Sequence, residues 1–195
     1  MKLIVGITGA TGSIFGVRLL EILKESGIES HLVISKWGAR TLVHETPYTI
    51  DYVKALATCA YSDSDQGAAI SSGSFITEGM IVAPCSVRTL AAIAHGQGDN
   101  LIHRAADVIL KERRKLTLMV REMPLNDIHL ENMLKLSRMG VVMMPPVPAF
   151  YNHPQTLDQM INHIVMRALD QFGIHIDAAA RWDGMMTTGG RAKPD

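Results

Sequence analysis

The residues able to do chemistry gather where an apolar run stops and a helical pattern starts. The sharpest such junction is Gly9-Ala10-Thr11-Gly12. It follows an apolar, β-branched run over residues 3–7 and precedes Ile14, Val17, Leu20, Ile22 and Leu23 at helical spacing. Glycines let a backbone approach a ligand closely, and a helix N-terminus offers free N–H groups to an anion. The spacing Gly9, Gly12, Gly16 is looser than the dinucleotide pattern G-x-G-x-x-G. The acidic residue that would hold an NAD ribose should close the second strand, yet Ser35-Lys36 stands there. NAD is therefore disfavoured. NADP is less excluded, because Lys36 can meet a phosphate, and a mononucleotide such as FMN suits the turn better.

A second junction is Pro84-Cys85-Ser86-Val87-Arg88-Thr89. Ser86 and Thr89 either cap the following helix or bond a ligand, and the local sequence leaves both open. Nothing nearby marks a base for Cys85, so it reads as a buried structural thiol. Arg121-Glu122 follows a buried strand, where ionised residues call for a partner or a ligand. Lys111-Glu112-Arg113-Arg114-Lys115 reads first as a solvated helix end. The eight histidines and two cysteines show no metal-ligand spacing, so no metal is expected. Trp182 stands in a polar tail, where a tryptophan anchors the tail to a core or to a neighbouring copy.

The elements that must position these groups follow from composition and periodicity. At 195 residues and 47% hydrophobic, the chain can bury a core as one domain, expected over residues 1–184, with residues 185–195 as a flexible tail. Lys plus Arg equals Asp plus Glu at 19 each, so no global field draws it to nucleic acid or membrane. The apolar start is too short for a signal peptide or a span, and a cytoplasmic protein is expected. Strands are expected at 3–7, 31–34, 80–83, 116–120 and 141–144. Helices are expected at 14–23, 36–45, 51–57, 87–95, 104–111, 126–139 and 156–172, with loops carrying short pieces of structure over 58–78. Alternating strands and helices predict a mainly parallel sheet covered on both faces, a Rossmann-like or flavodoxin-like three-layer α/β sandwich. Its ligands should sit at the carboxyl ends of the strands.

Taken together, these segments resemble the flavin prenyltransferase (UbiX) family. The resemblance rests on Gly9-Ala10-Thr11-Gly12, Ile70-Ser71-Ser72-Gly73-Ser74-Phe75, Pro84-Cys85-Ser86, Arg104-Ala105-Ala106-Asp107, Arg121-Glu122-Met123-Pro124-Leu125, His129-Leu130-Glu131-Asn132 and Pro145-Pro146-Val147-Pro148, and it runs from Lys2 to about Gly184. Ser35-Lys36-Trp37 and His44-Glu45-Thr46-Pro47-Tyr48 are most similar to the members associated with hydroxyaryl acid decarboxylases. The resemblance implies alkylation of reduced FMN at N5 and C6 by dimethylallyl phosphate without metal. The prenylated FMN would serve a UbiD-type decarboxylase. It implies FMN contacts from Ala10, Thr11, Gly12, Ser35, Ser86, Val87, Arg88, Thr89 and Arg121. Lys111, Glu122, Tyr151 and Arg167 would form the prenyl-phosphate and catalytic cluster, Glu45 would carry a proton, and Trp182 would close the site from a neighbouring chain. It further implies a homo-oligomer, a dodecamer. Thr11 stands where the family often has serine and keeps the hydroxyl.

Three other readings stay in view. One is a non-catalytic FMN-binding component of a hydroxyaryl acid decarboxylase complex. Another is a flavin-dependent cysteine decarboxylase of related fold, against which Tyr151, Arg167 and Arg121-Glu122 argue. The last is a short-chain NADP oxidoreductase, weakened by the absence of a Tyr-x-x-x-Lys pair.

Overall fold

The computed structural model describes residues 1–176, 181, 182 and 184. The expected tail over 185–195 lies outside the described residues.

One parallel sheet runs in the order β3-β2-β1-β4-β5-β6: β1 Lys2–Ile7, β2 Glu29–Ile34, β3 Cys59–Tyr61, β4 Gly79–Cys85, β5 Lys115–Val120 and β6 Val142–Met143. Among the described residues seven α-helices accompany them: α1 Ser13–Glu25, α2 Lys36–Glu45, α3 Ile50–Leu56, α4 Val87–Ala94, α5 Leu101–Lys111, α6 Asp127–Arg138 and α7 Leu157–Asp170. The central strands are apolar along their length because both faces are covered. Successive side chains point to opposite faces. Leu3, Val5, Ile7, Ile81 and Ala83 therefore pack with α1, α3 and α7, while Ile4, Met80, Val82, Leu116 and Leu118 pack with α4 and α5. Gly16 lets α1 press onto β4: a Cβ there would stand 2.4 Å from the Ala83 carbonyl oxygen.

The structure departs from expectation at β4 and α5 and makes one expected short piece specific. β3 is one of the short pieces expected within 58–78, a three-residue edge strand too short to show alternation in the sequence. β4 continues through Pro84 to Cys85, with a register shift between Val82 and Cys85 that takes the proline out of the regular ladder. α5 starts at Leu101 rather than about Arg104, since the Asn100 side chain accepts the His103 N–H and caps the helix there.

Chain order reverses between β1 and β4: β1 leads outward to β2 and β3 on one side, and the chain returns to β4 on the other. In open α/β sheets the ligand crevice lies at this switch point, beyond the carboxyl ends of the strands.

Candidate flavin and phosphate site

The carboxyl ends of β1, β2, β4 and β5 are fastened to one another. The Thr8 hydroxyl donates to the Pro84 carbonyl at 2.8 Å and accepts the Ser86 N–H at 2.8 Å. Ser35 N–H donates to the Ile7 carbonyl at 2.9 Å, and Arg121 N–H to the Cys85 carbonyl at 3.0 Å. The sequence-predicted residues Ser35, Ser86 and Arg121 are thus held at one edge of the sheet.

Three helices begin at this edge. Ser35 caps α2 by accepting the Gly38 N–H at 3.0 Å, Ser86 caps α4 by accepting the Thr89 N–H at 3.2 Å, and Asn100 caps α5. Capping and ligand binding were both open for Ser86, and the structure shows the capping role directly. A capping serine that accepts through oxygen still has its own O–H: Ser86 gives its proton to Thr89 Oγ1 at 3.1 Å. A cleft of about 480 Å³ lies between these helix starts, its lining including Gly9, Ser35, Lys36, Ser86, Arg88 and Thr89. Asp63 and Asp99 line the same cleft and offset Lys36 and Arg88, so it is the converging helix N-termini that suit an anion. A phosphate fits these residues, and the sheet edge beside them is where a mononucleotide would extend.

The glycine turn forms the other shoulder. Gly12 has φ of +97°, a conformation that favours glycine, and precedes α1 directly. It carries no side-chain cap of its own; Glu45, at the end of α2, supplies one. Its Oε2 accepts from Gly12 N–H at 2.9 Å and Ser13 N–H at 3.1 Å. Burial alone would raise the pKa of this carboxyl, but the Thr11 hydroxyl and the two N–H groups outweigh it and hold it below the ordinary value. Ala10, Thr11 and Gly12 are therefore placed together with Glu45, as a single backbone-and-carboxylate unit.

Apart from Arg121 and Glu122 at this same edge, the remaining expected site residues stand elsewhere in the chain. Arg121 and Glu122 are exposed just past β5, and Glu122 Oε1 accepts the Met123 N–H. Lys111 is the last residue of α5, at the opposite end of the sheet, where Nζ pairs with Glu112 Oε1 at 2.5 Å. Tyr151 hydrogen-bonds His163 Nε2 at 3.3 Å and meets the Trp182 ring edge-on at 5.7 Å. Arg167, one turn beyond His163 on α7, pairs with Asp170 at 3.1 Å. Hydrogen bonding from Arg181 above all, then from His175, holds the Asp170 carboxyl well below the usual range. Tyr151, Arg167 and Trp182 thus share the α7 face, while Glu45 and the glycine turn share the β1–β4 crevice. Trp182, expected to act on a neighbouring chain, packs here on its own chain's Tyr151.

The Cys85 thiol is fully buried, and burial pushes its pKa up, so it is a structural thiol as expected. Asp63 and His103 were not singled out beforehand. Asp63 and His103 also line the cleft, but nothing in their local spacing marks them: Asp63 lies in a Ser/Asp-rich loop, and His103 is one apolar-face position of a helix. Among the described residues no group of three His, Cys, Asp or Glu side chains could hold a metal ion.

The Flavoprotein family model matches residues 1–169. A Bacillus subtilis (strain 168) protein described as "Probable UbiX-like flavin prenyltransferase" is 62% identical over 185 residues, 95% of this chain and 91% of that protein. The crystal structure of a dodecameric FMN-dependent Ubix-like decarboxylase from Escherichia coli O157:H7 superposes with a TM-score of 0.93 at 60% identity, covering 94% of this chain and 100% of the other. AnUbiX (PadA1), crystallised in complex with FMN and dimethylallyl pyrophosphate, superposes with a TM-score of 0.94 at 47% identity, covering 95% and 98%. With its fold, its glycine turn and its near-full-length identity all in agreement, the chain belongs to the Flavoprotein family and, within it, to the UbiX-like flavin prenyltransferases.

Proposed function

We propose that this chain joins the dimethylallyl group of dimethylallyl phosphate to N5 and then C6 of reduced FMN, making prenylated FMN. One observation carries the reading. The capped starts of α2, α4 and α5 converge with Lys36 and Arg88 on one cleft at the switch point, in a chain 47% identical to a protein crystallised with FMN and a prenyl diphosphate.

In this reading Ser35 and the Ser86-Val87-Arg88-Thr89 helix start hold the flavin phosphate. Ala10, Thr11 and Gly12 lie against the flavin, and Arg121 meets its edge. The reduced flavin supplies the nucleophilic nitrogen and carbon. As the allylic C–O bond breaks, the electron pair leaves with phosphate, and the departing charge needs cationic donors. Lys111 and Arg167 fill that role, with the Tyr151 hydroxyl, Glu122 and the Trp182 ring enclosing the prenyl group. Glu45 is the candidate carrier for the proton lost when C6 rearomatises.

Lys111 and Arg167 lie away from the glycine turn within one chain. The reading therefore includes a homo-oligomer, a dodecamer like the E. coli relative, in which neighbouring copies complete each site. The product would pass to a UbiD-type aromatic acid decarboxylase. No helix among the described residues is long and apolar enough to cross a membrane, and we assign the enzyme to the cytoplasm.

The test is direct. Purified protein is incubated with reduced FMN and dimethylallyl phosphate without oxygen, and the flavin is weighed by mass spectrometry. A mass increase of one prenyl unit is expected. Unchanged FMN, with folded protein, overturns the reading.

A further inference from the structure

His163 lies on α7 and is 8% exposed, with its ring edge-on to Tyr151 at 5.7 Å between centroids. Its two ring nitrogens have different partners. Nδ1 faces the Asn152 amide nitrogen at 3.2 Å, and Nε2 faces the Tyr151 hydroxyl at 3.3 Å. An amide nitrogen only donates, so Nδ1 accepts and the neutral ring carries its proton on Nε2. Turning the Asn152 amide over would reverse this at a cost. As it stands, the atom left buried without a partner is the Asn152 carbonyl oxygen. Turned over, the amide would leave two N–H donors buried there instead, and orphaned N–H groups are rarer than under-satisfied carbonyls. The ring is also held neutral: burial above all, then Arg167, lowers its pKa, while Asp170 opposes.

The consequence falls on Tyr151. Its oxygen accepts from His163 Nε2–H, so its own O–H is not spent on His163. Among the described residues the hydroxyl has no other hydrogen-bond partner. Arg167 stands four residues along α7 from His163, one turn on along the same face, and its charge is felt at the ring. The phenol proton is thus offered beside the Arg167 guanidinium.

We propose that His163 is a positioning residue for the prenyl donor: its Nε2–H holds the Tyr151 oxygen and turns the phenol proton outward to the phosphate of dimethylallyl phosphate. This rests on the reading that Tyr151 and Arg167 hold that phosphate. No proton is transferred. The phenol hydrogen bond strengthens as the C–O bond breaks and charge gathers on the phosphate. A phenol that already accepts one hydrogen bond is the stronger donor.

Two substitutions and their combination test this. Tyr151→Phe removes the hydroxyl, and His163→Phe removes the ring N–H while keeping an aromatic ring. Each should lower kcat/KM for dimethylallyl phosphate roughly 3–10-fold, the worth of one neutral hydrogen bond, with the FMN Kd within about twofold. The double variant should lose no more than Tyr151→Phe alone, because both changes act through one hydroxyl. His163→Gln, which returns an N–H near the Nε2 position, should recover most of the activity. Losses that multiply in the double variant, a fully active His163→Phe, or a His163→Gln as impaired as His163→Phe overturn the proposal and leave the reading of Tyr151 standing. A fully active Tyr151→Phe removes that reading and the proposal together. The tautomer is read without any change at His163, so the test survives variants that fail to fold. In nitrogen NMR spectra of protein labelled in its histidine rings, the ring whose signals move on Tyr151→Phe should carry its proton on Nε2, with Nδ1 bare. A proton on Nδ1 alone overturns the proposal.

Discussion

Glu45 closes the start of α1 from a distance of more than thirty residues: its carboxylate lies 2.9 Å from the Gly12 nitrogen and 3.1 Å from the Ser13 nitrogen. Gly12 has no side chain with which to cap its own helix. A carboxylate at a helix N-terminus is favoured by the dipole as well as by the bonds. The group we assign to proton transfer is therefore also what shapes the glycine turn. The two roles separate by substitution. Glu45→Gln keeps an acceptor oxygen but loses the charge, and turnover should fall while FMN still binds. Glu45→Ala removes the acceptor and should cost about 1–2 kcal/mol of stability, as other lost caps do. Full activity in Glu45→Gln removes Glu45 from the mechanism.

The same contact has a pH signature. The Glu45 carboxyl is depressed in the folded chain against an ordinary 4.5. Its contribution to stability is therefore present above that value and is lost as pH falls through the lower, folded value. In denaturant melts, wild type and Glu45→Gln should differ most near neutrality and converge as the solution is acidified below about pH 4. A gap that persists undiminished in acid would mean that packing, not charge, distinguishes them.

Gly16 tests how closely α1 lies on the sheet. A Cβ at this position would meet the Ala83 carbonyl oxygen at 2.4 Å and the Ile7 side chain at 2.8 Å. The oxygen is backbone, next to Pro84, and cannot swing aside. Gly16→Ala should lower stability by about 1–3 kcal/mol, despite alanine's better helix propensity. Because Ala83 and Pro84 lead into Ser86, flavin affinity should weaken too. A variant as stable as wild type would show that α1 can lift off β4 at little cost.

Much of this was legible in the chain. The strands that became β1 and β4 are apolar throughout because helices cover both faces, and that continuity is what the sequence displays. Ser35 after β2, Ser86 after β4 and the glycine turn after β1 were readable because each sits at a change of period. What was not readable depends on contacts distant in sequence. Thr8 reaches Pro84 across two strands, and Glu45 reaches Gly12 from the far end of α2. Asp63 lines the same cleft as His103 because β3 pairs at the sheet edge, and three residues of half-buried strand carry too little alternation to be seen. Lys111, Tyr151 and Arg167 drew attention through family resemblance, and resemblance is silent about which end of the sheet each one occupies.

Arg167 should separate the two substrates. It stands on α7 with Asp170, on the Tyr151 and Trp182 face, away from the glycine turn. Arg167→Ala should raise the KM for dimethylallyl phosphate roughly 10–100-fold, the worth of one charged hydrogen bond, and leave the FMN Kd within about twofold. Equal loss of both affinities would place Arg167 in general folding instead.

The position of Lys111 leads to a complementation experiment. Glu45 belongs to the carboxyl edge of the sheet and Lys111 to its amino edge, so one chain does not bring them together. If both serve one reaction, they do so from different copies. Lys111→Ala and Glu45→Gln chains, each impaired as a homo-oligomer, should regain activity when co-expressed. In a symmetric assembly each site draws Glu45 from one copy and Lys111 from another. Random mixing in equal amounts makes each wild-type contribution present half the time, so about a quarter of the sites would carry both. Recovery near that fraction supports shared sites. Mixed assemblies that stay as impaired as their parents would mean that both residues act within one chain, or that Lys111 takes no part in the chemistry.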